Sequence, residues 1–273
     1  MGRFDGVLLA SDYDGTLRGS TLAVLERDKA AIRAFQREGG VFLVVTGRCY
    51  SDFVQQAREL PLTHPTLLSN GATFCRMDTG EMLFSNDLCG DAPKDVAGLL
   101  RGFPGVAAAV YHRDKSFLFQ PNAMSDYHTS LVKAVPTVMP LEQIPTPWLK
   151  VLFLGQRAEL EKLRAIVLEQ WSDRYECIFS AGFLLELTAK GIHKGNGVLK
   201  AAELLGIDRQ NVYCVGDNEN DLPMLRMAEV GFAPAESAVA QMGLDYPVIV
   251  NDADHGCVES VIERLKGRYT EHE

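Results

Sequence analysis

Two carboxylates one residue apart end a short apolar run: Gly6-Val7-Leu8-Leu9-Ala10-Ser11 is followed by Asp12-Tyr13-Asp14-Gly15-Thr16-Leu17. A run this short, bounded by a turn-prone Asp-Gly, predicts a buried parallel strand. In open α/β sheets ligands bind beyond the carboxyl ends of such strands, so both carboxylates are expected to face a crevice. Side chains alternate along a strand, and the i, i+2 spacing puts Asp12 and Asp14 on one side if the extension persists past Asp12. Like charges that close repel unless a divalent cation neutralises them or one of them takes a proton. An isolated Asp-x-Asp-Gly suits a solvated loop equally well, so the decision falls to the segments downstream.

Those segments repeat the same grammar. Leu22 to Arg37 has helical spacing and stops at Gly39-Gly40; Val41-Phe42-Leu43-Val44-Val45 then reads as a second buried strand, ending on Thr46-Gly47-Arg48. A helix is expected from about Ser51 to Leu60, and a third strand, Thr66-Leu67-Leu68-Ser69, closes on Asn70-Gly71-Ala72. Further on, a helix over Gly195 to Leu205 precedes Asn211-Val212-Tyr213-Cys214-Val215, which ends on the acidic turn Gly216-Asp217-Asn218-Glu219-Asn220-Asp221. A short helix over Leu222 to Ala228, short strands at Val230 to Ala233 and Pro247 to Val250, and a closing helix over Val258 to Leu265 complete the pattern. Strands joined by helical crossovers describe a doubly wound parallel sheet of the α/β class. Between the two parts, over residues 84–190, short strands at Val106–Tyr111, Ser116–Phe119, Lys150–Leu154 and Phe183–Leu187 mix with helices near Pro93–Arg101 and Ala158–Trp171, broken by Pro136, Pro140, Pro145 and Pro147. This middle stretch reads as an inserted α+β domain, with residues 1–83 and 191–273 sharing the outer, discontinuous one.

The length of 273 residues is ample for two modest cores. A net charge of −9 without a block of Lys or Arg argues against a nucleic-acid partner, while an anionic small molecule can still bind through local cations. The six cysteines stand apart with no ligand-like spacing, which suggests reduced thiols packed as small apolar groups. No run approaches a membrane span or a signal-peptide core, so a cytoplasmic protein is expected.

Asp12-Tyr13-Asp14-Gly15-Thr16, Thr46-Gly47-Arg48, Lys194 and Gly216-Asp217-x-x-Asn220-Asp221 occur in that order. The order and contexts resemble the haloacid dehalogenase superfamily. The insertion between the Thr46 motif and Lys194, with Ser69-Asn70-Gly71-Ala72 and Asn220-Asp221-Leu222-Pro223-Met224-Leu225, is similar to its Cof-type branch, subclass IIB, over essentially the whole chain. The resemblance implies a Rossmannoid core with a C2B-type cap, and a Mg²⁺-dependent phosphatase acting on sugar phosphates or phosphorylated cofactors. One departure stands out: where Cof-type chains commonly have Gly-Val-Ala-Met-x-Asn-Ala, this one has Gly231-Phe232-Ala233-Pro234-Ala235-Glu236-Ser237-Ala238, which puts a rim contact in doubt and leaves the acidic residues untouched.

Phosphoryl transfer needs an in-line nucleophile and positive charge spread over the equatorial oxygens. Asp12 suits the nucleophile, forming an aspartyl-phosphate, and Asp14 suits the acid and base that protonates the leaving oxygen and then activates water. The resemblance implies Asp12, the Asp14 backbone carbonyl and Asp217 as Mg²⁺ ligands. The Thr46 hydroxyl and the Gly47 N–H, where a strand gives way to a helix, suit a phosphate oxygen. Lys194 is expected as a charge on the phosphate and nucleophile, Asn70 and Asn220 as neighbours of the phosphate, and Asn220 with Asp221 as groups that orient Lys194 and metal-bound water. In the cap, His112, Arg113, Lys115, Asn122, His128 and Lys150 are candidates for reading the leaving group.

Each residue taken singly has a plainer reading: Thr46 and Asn70 as caps, Lys194 and the cap residues as solvated surface, Arg48 as the partner of a nearby carboxylate. The joint pattern favours chemistry. Two other functions fit the same residues, a mutase of the phosphomannomutase type that passes the phosphoryl group to a sugar hydroxyl, and a metabolite-binding protein that has lost the reaction; the presence of both Asp12 and Asp14 speaks against the second.

Overall fold

A computed structural model describes residues 2–112, 115–132 and 135–269. Among them the strands form two sheets, one built from the outer parts of the chain and one from the middle. The chain opens with β1 (Leu8–Asp12), α1 (Glu26–Arg37), β2 (Val41–Val45), α2 (Tyr50–Ala57), β3 (Thr66–Leu68), β4 (Thr73–Cys75) and β5 (Met82–Ser85). The middle supplies α3 (Ala92–Leu100), β6 (Ala107–His112), β7 (Lys115–Phe119), α4 (Ala123–Val132), β8 (Thr137–Val138), β9 (Lys150–Leu154), α5 (Arg157–Trp171), β10 (Tyr175–Ala181) and β11 (Leu184–Ala189). The chain then returns with α6 (Lys194–Leu204), β12 (Val212–Val215), α7 (Leu222–Met227), β13 (Val230–Pro234), α8 (Ala238–Gln241), β14 (Val248–Val250) and α9 (Cys257–Lys266).

The first sheet has the order β14-β13-β12-β1-β2-β3-β4-β5. Its pairs are parallel from β14 to β3, and β4 and β5 add antiparallel strands at one edge. The parallel strands are buried on both faces, which is why they read as unbroken apolar runs. One face packs Leu9, Phe42, Val44 and Tyr213 against Ile32 and Phe35 of α1 and Val261, Ile262 and Leu265 of α9; the other packs Leu8, Leu43 and Cys214 against Val198, Ala201 and Ala202 of α6 and Leu225 of α7. Helices on both faces with parallel strands between them make an α/β doubly wound layer.

The second sheet runs β10-β11-β9-β6-β7-β8, antiparallel except for the short β7–β8 pair. Its own core gathers Val96 and Leu100 of α3, Leu160 and Leu163 of α5, and Val110, Phe153 and Leu187 of the strands. All six cysteines are free thiols, and Cys89 alone of them is exposed. No helix among the described residues is long and apolar enough to cross a membrane.

The helix expected from Leu22 begins four residues later, at Glu26. Leu22 has φ +59, a conformation that ends rather than continues a helix, and its side chain is exposed while Val24 packs into the core. The loop expected after the third strand is a tight turn in which Ser69, Asn70 and Gly71 all take positive φ (51°, 56° and 89°), followed by the β4–β5 hairpin.

Candidate active site

Three neighbouring strand ends bring the acidic and hydroxyl residues together. β1 ends at Asp12, β12 beside it leads into Asp217, and β2 on its other side leads into Thr46. Lys194, the first residue of α6, reaches across with its Nζ 2.5 Å from Asp12 Oδ1 and 2.6 Å from Asp221 Oδ1, and is itself 1% exposed. Asp221 Oδ2 accepts the N–H groups of Asp217 and Asn218, each at 3.0 Å. Both oxygens of Asp221 are therefore engaged, so it supports the site rather than facing a ligand.

Burial pushes the Asp12 carboxyl well above the usual carboxylate range, with Lys194 pulling the other way. Burial, reinforced by Asp221, pushes Asp217 up to about 6. Burial alone would lower Lys194, but Asp12 and Asp221 outweigh it and hold the ammonium more firmly charged than usual. Carboxylate oxygens of Asp12, Asp217 and Asp221 lie within 4.8 Å of one another. Lys194 offsets one of these three carboxylates and Asp221 has both oxygens engaged, which leaves Asp12 and Asp217 to offer hard oxygen donors, a donor set that fits a divalent ion such as Mg²⁺. Thr16 Oγ1 donates to Asp217 Oδ1 at 3.0 Å and fixes its rotamer. Gly15, at φ +90, passes so close that a Cβ would stand 2.6 Å from Asp217 Oδ2.

Asp14 sits two residues on with its carboxylate gripped by Arg48, Nε to Oδ2 at 2.7 Å and Nη2 to Oδ1 at 3.1 Å, and by Arg18. Arg48 thus takes the carboxylate-pairing role expected of it. Its backbone N–H donates to Thr46 Oγ1 at 3.1 Å, which leaves the threonine's own hydroxyl hydrogen free to donate. Asn220 Nδ2 donates to Asn70 Oδ1 at 3.1 Å, and the left-handed backbone of Asn70 lets its amide meet that partner.

A cavity of about 330 Å³ opens over these groups. Asp12, Asp14, Thr46, Gly47, Asp217 and Asn220 line it; Asn70, Lys194 and Asp221 do not, and act on it through the residues they bond. Of the cap candidates, Lys150 and His128 line the cavity. Lys115 does not: it is exposed at the start of β7, opposite His112, because the hairpin directs that end elsewhere. His112 Nδ1 stands 2.6 Å from the Pro147 carbonyl, and the Asn122 amide donates to the carbonyls of Gly105 and Leu154, so both serve their own loops. Arg113 lies outside the described residues. Glu186, Tyr111, Asp52, Phe183 and Arg18 also line the cavity and were not singled out from sequence. Glu186 left one signal, a lone charge inside the apolar strand Leu184-Leu185-Glu186-Leu187.

A family model described as haloacid dehalogenase-like hydrolase matches residues 9–252. Among curated proteins, YxeH of Bacillus subtilis, named provisionally as a phosphatase without a stated substrate, is 30% identical over 239 residues, covering 84% of this chain and 87% of its own. The HMP-PP phosphatase of Klebsiella pneumoniae is 26% identical over 262 residues, 92% of each. Among solved structures, the subclass IIB sugar phosphatase BT4131 superposes with a TM-score of 0.81 at 20% identity over 95% of this chain and 98% of its own, a likeness of fold.

Proposed function

The chain belongs to the haloacid dehalogenase-like hydrolase family, and from that premise we propose that it is a phosphatase that hydrolyses small phosphate monoesters through a phosphorylated Asp12. The observation that carries this reading is the meeting of Asp12, Asp217 and Thr46 from three adjacent strand ends at one cavity, with Lys194 in contact with Asp12.

In the first step an Asp12 oxygen attacks phosphorus, the bond to the leaving oxygen breaks, and the Asp14 carboxyl, which must first leave its pairing with Arg48 and Arg18, delivers a proton to that oxygen. In the second, Asp14 takes a proton from water, the water oxygen attacks phosphorus, and the bond to Asp12 breaks to give inorganic phosphate. Lys194 holds Asp12 in place for both displacements and offsets charge at its carboxylate. The Thr46 hydroxyl and the Gly47 N–H are suited to phosphate oxygens. Asp12, the Asp14 carbonyl and Asp217 would hold Mg²⁺, which when bound supplies charge stabilisation on the phosphoryl oxygens.

We assign residues 84–190 as the cap and residues 1–83 and 191–273 as the catalytic core, with the correction that Phe84 and Ser85 complete β5 and belong to the core sheet. Beyond the carboxylates the wall is largely apolar, with Leu131, Val132, Leu152, Phe183 and Leu184 beside Tyr111. This favours leaving groups that offer a flat or apolar face, so phosphorylated cofactors belong beside sugar phosphates as substrate candidates. The test is phosphate release from both classes with and without Mg²⁺. Metal-dependent release from either supports the reading; transfer of phosphate to an added sugar with none released to water would replace hydrolysis by the mutase reaction.

A further inference from the structure

We propose that Lys150 and Glu186 form a latch through which the middle domain orients the phosphate-binding turn, making Lys150 a positioning residue rather than a reader of the leaving group; the proposal rests on Thr46-Gly47 being that turn. Lys150 opens β9 and is 2% exposed. Its Nζ donates to the Gly47 carbonyl at 2.5 Å and to Glu186 Oε2 at 2.7 Å, and lies 4.7 Å from the centre of the Tyr111 ring, which stands opposite Lys150 in the β6–β9 register. The donors of the ammonium are thus directed at protein groups.

A buried ion pair gains little over apolar packing of the same volume, so its placement calls for a use. The group gripped here belongs to the other sheet. The Gly47 carbonyl and the Arg48 N–H are parts of one planar peptide unit, and that N–H donates to Thr46 Oγ1 at 3.1 Å. Holding the carbonyl fixes the direction of the amide, the amide fixes the threonine hydroxyl, and the hydroxyl hydrogen is left to meet the phosphate. The approach is close: a Cβ on residue 47 would stand 3.0 Å from Glu186 Oε1, so the carboxylate would have to give way for any larger residue. Arg48 carries the connection onward, since its side chain grips Asp14.

Lys150→Met alone would strand Glu186 as a buried unpaired charge, so the informative variant is the double Lys150→Met/Glu186→Gln. Its kcat is expected to fall by about 10- to 100-fold, by the same factor for para-nitrophenyl phosphate, a sugar phosphate and a phosphorylated cofactor, with faster amide exchange over residues 46–49 and little change in Tm. Lys150→Arg, which keeps a cationic donor for the carbonyl, is expected to recover most of both losses. A loss confined to particular leaving groups, or unchanged exchange over residues 46–49 in the double variant, would overturn the latch. If the wild type hydrolyses nothing, the phosphatase reading fails, and the exchange measurement still decides the latch.

Discussion

Lys194 stands between two carboxylates with its ammonium 2.5 Å from Asp12 and 2.6 Å from Asp221, so that the proposed nucleophile and its support share one buried cation. Removing that cation leaves two buried carboxylates facing each other. Lys194→Met is therefore expected to cost about 3–5 kcal/mol of stability and to abolish turnover. Calorimetric unfolding beside the wild type measures the first, and a fully stable Lys194→Met would contradict the charge balance described here.

Asp217 and Asp221 differ in what they have left to offer. Mg²⁺ at one hundred times its Kd is expected to stabilise the wild type by about 2.7 kcal/mol, and Asp217→Asn is expected to lose that increment while remaining folded. An undiminished Mg²⁺-dependent rise in Tm in Asp217→Asn would remove this residue from the ligand set.

Gly15 combines φ +90 with the close approach to Asp217. Gly15→Ala adds backbone strain on the order of 1–3 kcal/mol and pushes the carboxylate aside, so Mg²⁺ affinity is expected to drop along with stability. Titration of Mg²⁺ by calorimetry reads this directly; unchanged affinity would mean that Asp217 has room to move.

Asp28 of α1 accepts the Glu259 N–H at 2.8 Å, at the first turn of α9. Burial pushes its carboxyl up to about 6, with Glu259 and Arg27 as the nearby charges. A carboxyl raised on folding binds its proton more tightly in the folded state, so stability falls as pH rises from about 4 to 6. Asp28→Asn keeps an acceptor for the Glu259 N–H and removes the charge. It is expected to flatten that fall and to gain up to about 3 kcal/mol at pH 7, which urea titrations at pH 4 and pH 7 would reveal; equal pH slopes in the two proteins would contradict it.

The strands of the first sheet were legible because burial on both faces leaves unbroken apolar runs: Val41–Val45 is β2 as read, and Asn211–Val215 differs from β12 by one residue. The β4–β5 hairpin was not, since Met82 and Leu83 are exposed and β4 is three residues long. Asp12, Asp14, Thr46 and Asp217 were legible because each stands where an apolar run stops. Lys150 and Glu186 carry no such mark, because their meaning lies in contacts 103 and 36 residues apart in sequence. Of the clamp on Asp14, the Arg48 half was legible as a pairing with a nearby carboxylate, whereas Arg18 was not singled out and meets Asp14 through the fold of the turn.

In the proposed reaction Asp12 carries the phosphoryl group. Its most direct test is rapid acid quench of the Mg²⁺-loaded enzyme turning over a radiolabelled phosphate ester, followed by peptide mapping, with Asp12→Asn alongside. Label is expected on the peptide containing Asp12 in the wild type, and neither label nor phosphate release in Asp12→Asn. Phosphate release by Asp12→Asn at the wild-type rate would contradict it.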